Sequence, residues 1–193
     1  MTADVLGARM HDLMARLFPI CRSITGNGVR QTLATLSEVS PLDVVEVPSG
    51  TQVLDWVVPD EWNVTDAYVA DAAGNRVIDF RRSNLHLVGY STPFQGRLTL
   101  DELQQHLHSR PDLPDAIPYV TSYYERKWGF CLSQRERDAL APGTYEVAID
   151  SEIKPGALSY GEIVIPGTSS DEVLLATNVC HPSMANNELS GPV

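Results

Sequence analysis

The sequence predicts an α/β chain with a β-rich block inserted in it or packed against it. Three observations carry this. Apolar positions repeat with a helical period over residues 6–17 and 29–36. From about Thr51 the period shortens to two. Val173–Val179 is then a nearly unbroken apolar run, the pattern of a central strand covered on both faces. The expected division is 1–50 for helices and a first strand, 51–142 for the inserted β-rich domain, and 143–193 for the return to the core, incomplete at its C-terminal end.

The elements follow in order. Leu6, Met10, Leu13, Met14 and Leu17 share one helical face, and Pro19 ends that helix. Ser23–Gly28 is turn material, in which Asn27 or Thr25 caps the next helix. Val29, Leu33 and Leu36 continue that helix as far as Pro41. Leu42–Val47 reads as a strand. Val53–Val58, Asp66–Val69, Arg76–Phe80 and Leu85–Tyr90 also read as strands, with a hairpin turn over Ala72–Asn75. Thr99 with Glu102, and Ser133 with Glu136, are capping boxes, each opening a short helix. Trp128–Leu132, Tyr145–Asp150 and Gly161–Ile165 complete the strands before the apolar run.

Composition narrows the functions. The 193 residues carry 14 Lys plus Arg against 25 Asp plus Glu, a net charge of −11. Nucleic acid and anionic membranes need a cationic face, so neither is expected as partner. Three cysteines without a CxxC make a disulfide framework or a cysteine-only zinc knuckle unexpected. The first residues show no signal peptide, and no stretch approaches a spanning helix, so a cytoplasmic protein is expected. There is no GxSxG, P-loop or GxGxxG, which argues against serine hydrolases and nucleotide enzymes.

The most informative segment is the last. The apolar run delivers His181 at a strand's C-terminal end, the edge at which open α/β sheets bind ligands. An imidazole there can offer one nitrogen to a cation, and Glu188 is the nearest following carboxylate. A histidine so placed also serves as a plain hydrogen-bonded structural residue. Cys180, as a strand neighbour of His181, is expected to point to the opposite face and pack. Arg22 is a candidate for a substrate carboxylate, or else pairs with an acid. His86 faces solvent or lines a cleft. His106 and His108 lie two apart on a helix, a poor pair for one metal. Tyr119, Tyr123, Tyr124 and Trp128 form an aromatic group that packs in a core or binds sugars and peptides.

Residues 17–33 (LFPICRSITGNGVRQTL), 115–124 (DAIPYVTSYY), 128–133 (WGFCLS) and 180–186 (CHPSMAN) together resemble a bacterial aminopeptidase-like family linked to polysaccharide biosynthesis. Its catalytic part is similar to the zinc exopeptidases. The resemblance implies a partial phosphorylase/hydrolase-like α/β/α zinc-peptidase core with an inserted β-rich domain. It implies zinc, one or two ions, and metal-activated water attacking an amide of a peptide or aminoacylated small molecule. His181 matches the family's first metal-binding histidine. The bridging aspartate's place is taken by Asn187, with Glu188 next to it. A neutral amide bridges two dications poorly, so Glu188 is expected as the ligand, with one metal or none as the other outcomes. The substrate-binding candidates are Arg22, His86 and Tyr123. In the family, the general base and remaining ligands follow later, so this chain is expected to be the N-terminal part of a longer hydrolase, inactive by itself. The competing expectation is a non-catalytic peptide- or glycan-binding module with a degenerate hydrolase core.

Overall fold

The structure, a computed structural model, describes residues 3–183 and 185–193, without the side chains of Ala3, Asn186 and Asn187. The chain is a mixed α/β arrangement with small sheets. Its elements run α1 (Ala3–Leu17), α2 (Asn27–Ser37), β1 (Asp43–Pro48), β2 (Gln52–Val53), β3 (Trp56–Val57), β4 (Glu61–Ala70), β5 (Arg76–Asp79), β6 (Phe94–Thr99), α3 (Leu100–Gln104), β7 (Leu107–His108), β8 (Phe130–Cys131), α4 (Gln134–Asp138), β9 (Thr144–Lys154) and β10 (Ala157–Glu162). Two compact units result. One joins the described residues up to Glu61 with Pro155–Val193, and the other is Trp62–Lys154. These limits fall later in the chain than the 51 and 142 read from the sequence.

In the first unit, the stripe on α1 buries only its C-terminal half. Leu13 and Leu17 pack with Leu36 of α2 and with Leu189, while Leu6 and Met10 stay exposed. Helix α2 buries Val29, Thr32, Leu33 and Leu36. Its N-cap is Gly26 at φ 101°, with no side-chain cap bond, so neither Thr25 nor Asn27 holds the place expected of it. A positive φ suits glycine there, and Gly28 has its own reason: a Cβ on it would lie 1.8 Å from the Cys21 carbonyl oxygen. Strand β1 pairs antiparallel with β10, from Asp43 opposite Glu162 to Pro48 opposite Ala157. The expected strand Val53–Val58 is instead the β2–β3 hairpin, turned at Leu54, whose φ is 52°. Arg30 ties the unit together, donating to Glu61 at 2.7 and 2.8 Å and to Glu46 at 2.6 Å.

In the second unit, four strands form a sheet in the order β5-β4-β9-β6. Ala67, Val69, Ile78, Val147 and Ile149 are buried from three of these strands. The β4–β5 hairpin closes where the Asp71 carboxylate accepts from the amides of Ala73 and Asn75, both at 2.9 Å. Both capping boxes form, on α3 and α4. Strand β6, with its alternating exposure, goes unread in the sequence because Gly96 interrupts its apolar signal. The expected strand Leu85–Tyr90 is instead a 3₁₀ turn at Asn84–His86 followed by irregular chain. His106 and His108 lie beyond the end of α3, not on a helix.

The largest correction concerns the apolar run. Residues 173–179 form no strand, and Leu174 is 87% exposed. An apolar sequence becomes a strand only when a neighbour takes its backbone hydrogen bonds. Among the described residues none pairs with this segment. Among the same residues, no helix is long and apolar enough to cross a membrane.

Candidate metal-binding site

The site is assembled within the first unit by one helix end and one helical turn. Helix α1 stops at Leu17, and a helix C-terminus leaves carbonyl oxygens without intrahelical donors. Arg22 folds back to supply one, its Nη1 donating to the Leu17 carbonyl at 2.6 Å. The same guanidinium reaches the last segment of the chain. Nε and Nη2 donate to the His181 carbonyl at 3.3 and 3.2 Å.

The wide helical turn Ala185–Leu189 approaches from the other side. Leu189 inserts between Leu13, Leu17 and Leu36, and this anchor draws the preceding Glu188 inside. Glu188 is 0% exposed, a position a carboxylate tolerates only when its oxygens are satisfied. Oε2 accepts from the Cys180 amide at 2.6 Å. Oε1 is hydrogen-bonded to Nδ1 of His181. An ionised carboxylate can only accept, so the ring donates from Nδ1 and its Nε2 carries the lone pair. The Cys180 sulfur lies 3.6 Å from Nδ1.

Cys180, His181 and Glu188 thus converge, with one potential ligand atom from each inside a 4.8 Å span. Sulfur, imidazole nitrogen and carboxylate oxygen are the donor types zinc takes in proteins. The donor set therefore fits a small divalent cation. Burial pushes the Cys180 thiol up to about 11, with the Glu188 charge adding to the rise. Ligation through that sulfur must release a proton near neutral pH.

The expected site residues separate into two groups. His181 and Glu188 come together in direct contact, although His181 is not delivered by a strand. Cys180 joins them because strand alternation does not apply to an irregular segment, so the expectation that it packs on an opposite face is corrected. Arg22 is 1% exposed and spends its fork on backbone carbonyls, so as placed it is not presented to a substrate carboxylate. Glu188 is its nearby opposite charge; desolvation still dominates and lowers the Arg22 pKa. Asn187 lies outside the described side chains.

His86 and Tyr123 belong to the other unit. His86 is 3% exposed, with Nδ1 2.8 Å from the Cys131 carbonyl, so it neither faces solvent nor lines an open cleft. Tyr123 shares a hydroxyl–hydroxyl bond of 2.8 Å with Tyr119 and meets the Tyr90 ring edge-on at 5.2 Å. Nearby in sequence, Trp128 stacks against Phe94 at 4.2 Å and His106 at 3.7 Å.

Residues 61–152 match the family described as "Domain of unknown function (DUF2172)". A Clostridium acetobutylicum protein named "Putative polysaccharide biosynthesis protein with aminopeptidase-like domain" is 52% identical over 185 residues, covering 96% of this chain and 43% of that protein. The chain therefore spans less than half the length of that relative. A crystal structure of a "putative peptidase" from Clostridium acetobutylicum, at 2.37 Å resolution, superposes with a TM-score of 0.94 and 52% identity, over 96% of this chain and 44% of that one. What these likenesses support for the chain is a peptidase-like reading.

Proposed function

We propose that this chain forms part of a zinc-dependent, aminopeptidase-like hydrolase acting on an amide bond of a peptide or aminoacylated small molecule. One observation carries the proposal: Cys180, His181 and Glu188 meet in one cluster beside a buried arginine. In this reading His181, Glu188 and Cys180 hold the ion within a partial zinc-peptidase core. When bound, the ion lowers the pKa of water toward about 7 and polarises an amide carbonyl.

The chain's own residues supply position and charge. The Leu189 anchor holds Glu188 in place, and Glu188 sets the His181 tautomer. The Glu188 charge offsets that of a divalent cation, which a neutral amide does not. The Cys180 thiol gives up a proton on binding, so affinity rises with pH.

The test is zinc content by elemental analysis and zinc titration of the chain. Wild type is expected to bind close to one ion, with H181A and E188Q abolishing or weakening binding and C180S weakening it. Failure of wild-type protein to bind zinc sinks the proposal.

A second reading is favoured by the aromatic surface of the Trp62–Lys154 unit. There Tyr124 is 81% exposed, and the Phe94–Trp128–His106 stack is half-buried. Exposed rings of this kind recognise glycans and peptides. Titration of oligosaccharides and peptides, followed by tryptophan fluorescence, tests that role; no saturable change rejects it.

A further inference from the structure

We propose that Arg22 is a positioning residue, a latch that holds His181 by its backbone while Glu188 holds it by its ring. The inference rests on the reading of His181 as a ligand, but its geometry stands apart from any metal.

Arg22 is the largest of the almost completely buried side chains among the described residues. Burying a guanidinium is unfavourable unless it is paired and hydrogen-bonded. The hydrogen bonds described for it go to two backbone carbonyls. Nη1 holds Leu17, the last residue of α1, and Nε with Nη2 hold His181. One rigid fork therefore spans the helix end and the irregular segment that carries the imidazole. No strand fixes that segment, since residues 163–180 have no ladder partners among the described residues. The work a sheet would do, holding the His181 backbone, falls to Arg22.

The ring is fixed separately. Glu188 takes Nδ1 through Oε1 and the Cys180 amide through Oε2. Arg22 and the buried Glu188 also attract one another electrostatically. Backbone latch and ring clamp thus share one opposite-charge pair, so loosening Arg22 should free both. Lysine keeps the charge but not the planar fork, and cannot serve two separated carbonyls in the same way.

The experiment uses the whole chain in three variants, R22M, R22K and R30M. Arg30 is the control, because the hydrogen bonds described for it run to Glu61, Glu46 and Asn27 and not to a site residue. Two quantities are read. The first is the tautomer of His181 in metal-free protein, from its imidazole ¹⁵N signals. The second is zinc affinity by competition with a chromophoric chelator. Wild type should show a single Nδ1–H tautomer. R22M and R22K should show mixed tautomers and bind zinc about 10- to 100-fold more weakly, the range for residues that orient ligands. R30M should lower Tm while leaving both readouts unchanged.

Wild-type signals and affinity in R22K overturn the latch, as does an R30M effect equal to that of R22M. R22K decides the matter if R22M does not fold. If wild type binds no zinc, the proposed function fails, while the tautomer comparison still decides the role of Arg22.

Discussion

The unit Trp62–Lys154 and the segment that follows Glu162 treat their apolar residues in opposite ways. In the former, four strands pair in one sheet and Val69, Ile78, Phe130 and Val147 are fully buried. In the latter, Val164, Ile165 and Val173–Leu175 stand exposed, while Leu189, Val179 and Val193 join a core. Yet the second region carries the metal-ligand types, and the first carries none of that cluster. The difference teaches that dense packing and the candidate ligand cluster fall on different stretches of chain. The site depends on a few anchors, Leu189 and Arg22 above all, and not on a sheet.

This contrast can be broken or sharpened by substitution. The largest effect is expected from Phe130→Ala, where losing a buried ring costs about 3–5 kcal/mol. Hydrogen exchange should show protection lost within 62–154; equal loss across 180–189 would erase the distinction. Leu189→Ala comes next, at about 2–5 kcal/mol. It should release Glu188 and weaken zinc binding while leaving exchange in β4 and β9 unchanged. Unaltered zinc affinity would show that the anchor does not hold the site.

Thr99→Ala should cost about 1 kcal/mol through the lost cap, read by urea denaturation. The Arg30–Glu46 pair should give a smaller, pH-dependent contribution. Arg30 holds the Glu46 carboxyl below its ordinary range through a side-chain hydrogen bond, with Ser159 adding to it. A depressed carboxylate stabilises above its unfolded pKa, about 4.3, and that stabilisation is lost as pH falls through the folded value. Arg30→Met should therefore flatten the acid side of the stability curve below about pH 4.5. A curve still parallel to wild type there would show the pair to be silent. Smallest of all, serine at Val173, Leu174 and Leu175 together should change stability by less than about 0.5 kcal/mol, as surface substitutions do. A Tm drop of several degrees would mean these side chains are packed after all.

Much of the fold is legible in the sequence where the signal is local. The α1 stripe, both capping boxes and the β4–β5 hairpin are each written within a few residues of themselves. His181 and Glu188 are also legible, as a ligand type followed by the nearest carboxylate. The misreadings share one cause. Val53–Val58 and Leu85–Tyr90 have strand composition, but a turn at Leu54 and a 3₁₀ turn at Asn84–His86 intervene. Cys180 is misplaced because its direction follows from a strand that does not form.

By itself, then, the sequence determined the longer helices, the β4–β5 hairpin turn, the acidic character and the residue types that can bind a cation, because these follow from neighbours along the chain. Tertiary structure alone decided that Arg22 serves two carbonyls, that Cys180 turns toward His181, that His86 is sealed against Cys131, and that Val173–Leu175 is left uncovered. None of these follows from local pattern, because hydrogen-bond satisfaction and burial are set by whichever group arrives there, as the His181 carbonyl does at Arg22 and the Cys131 carbonyl at His86, and not by the residue itself.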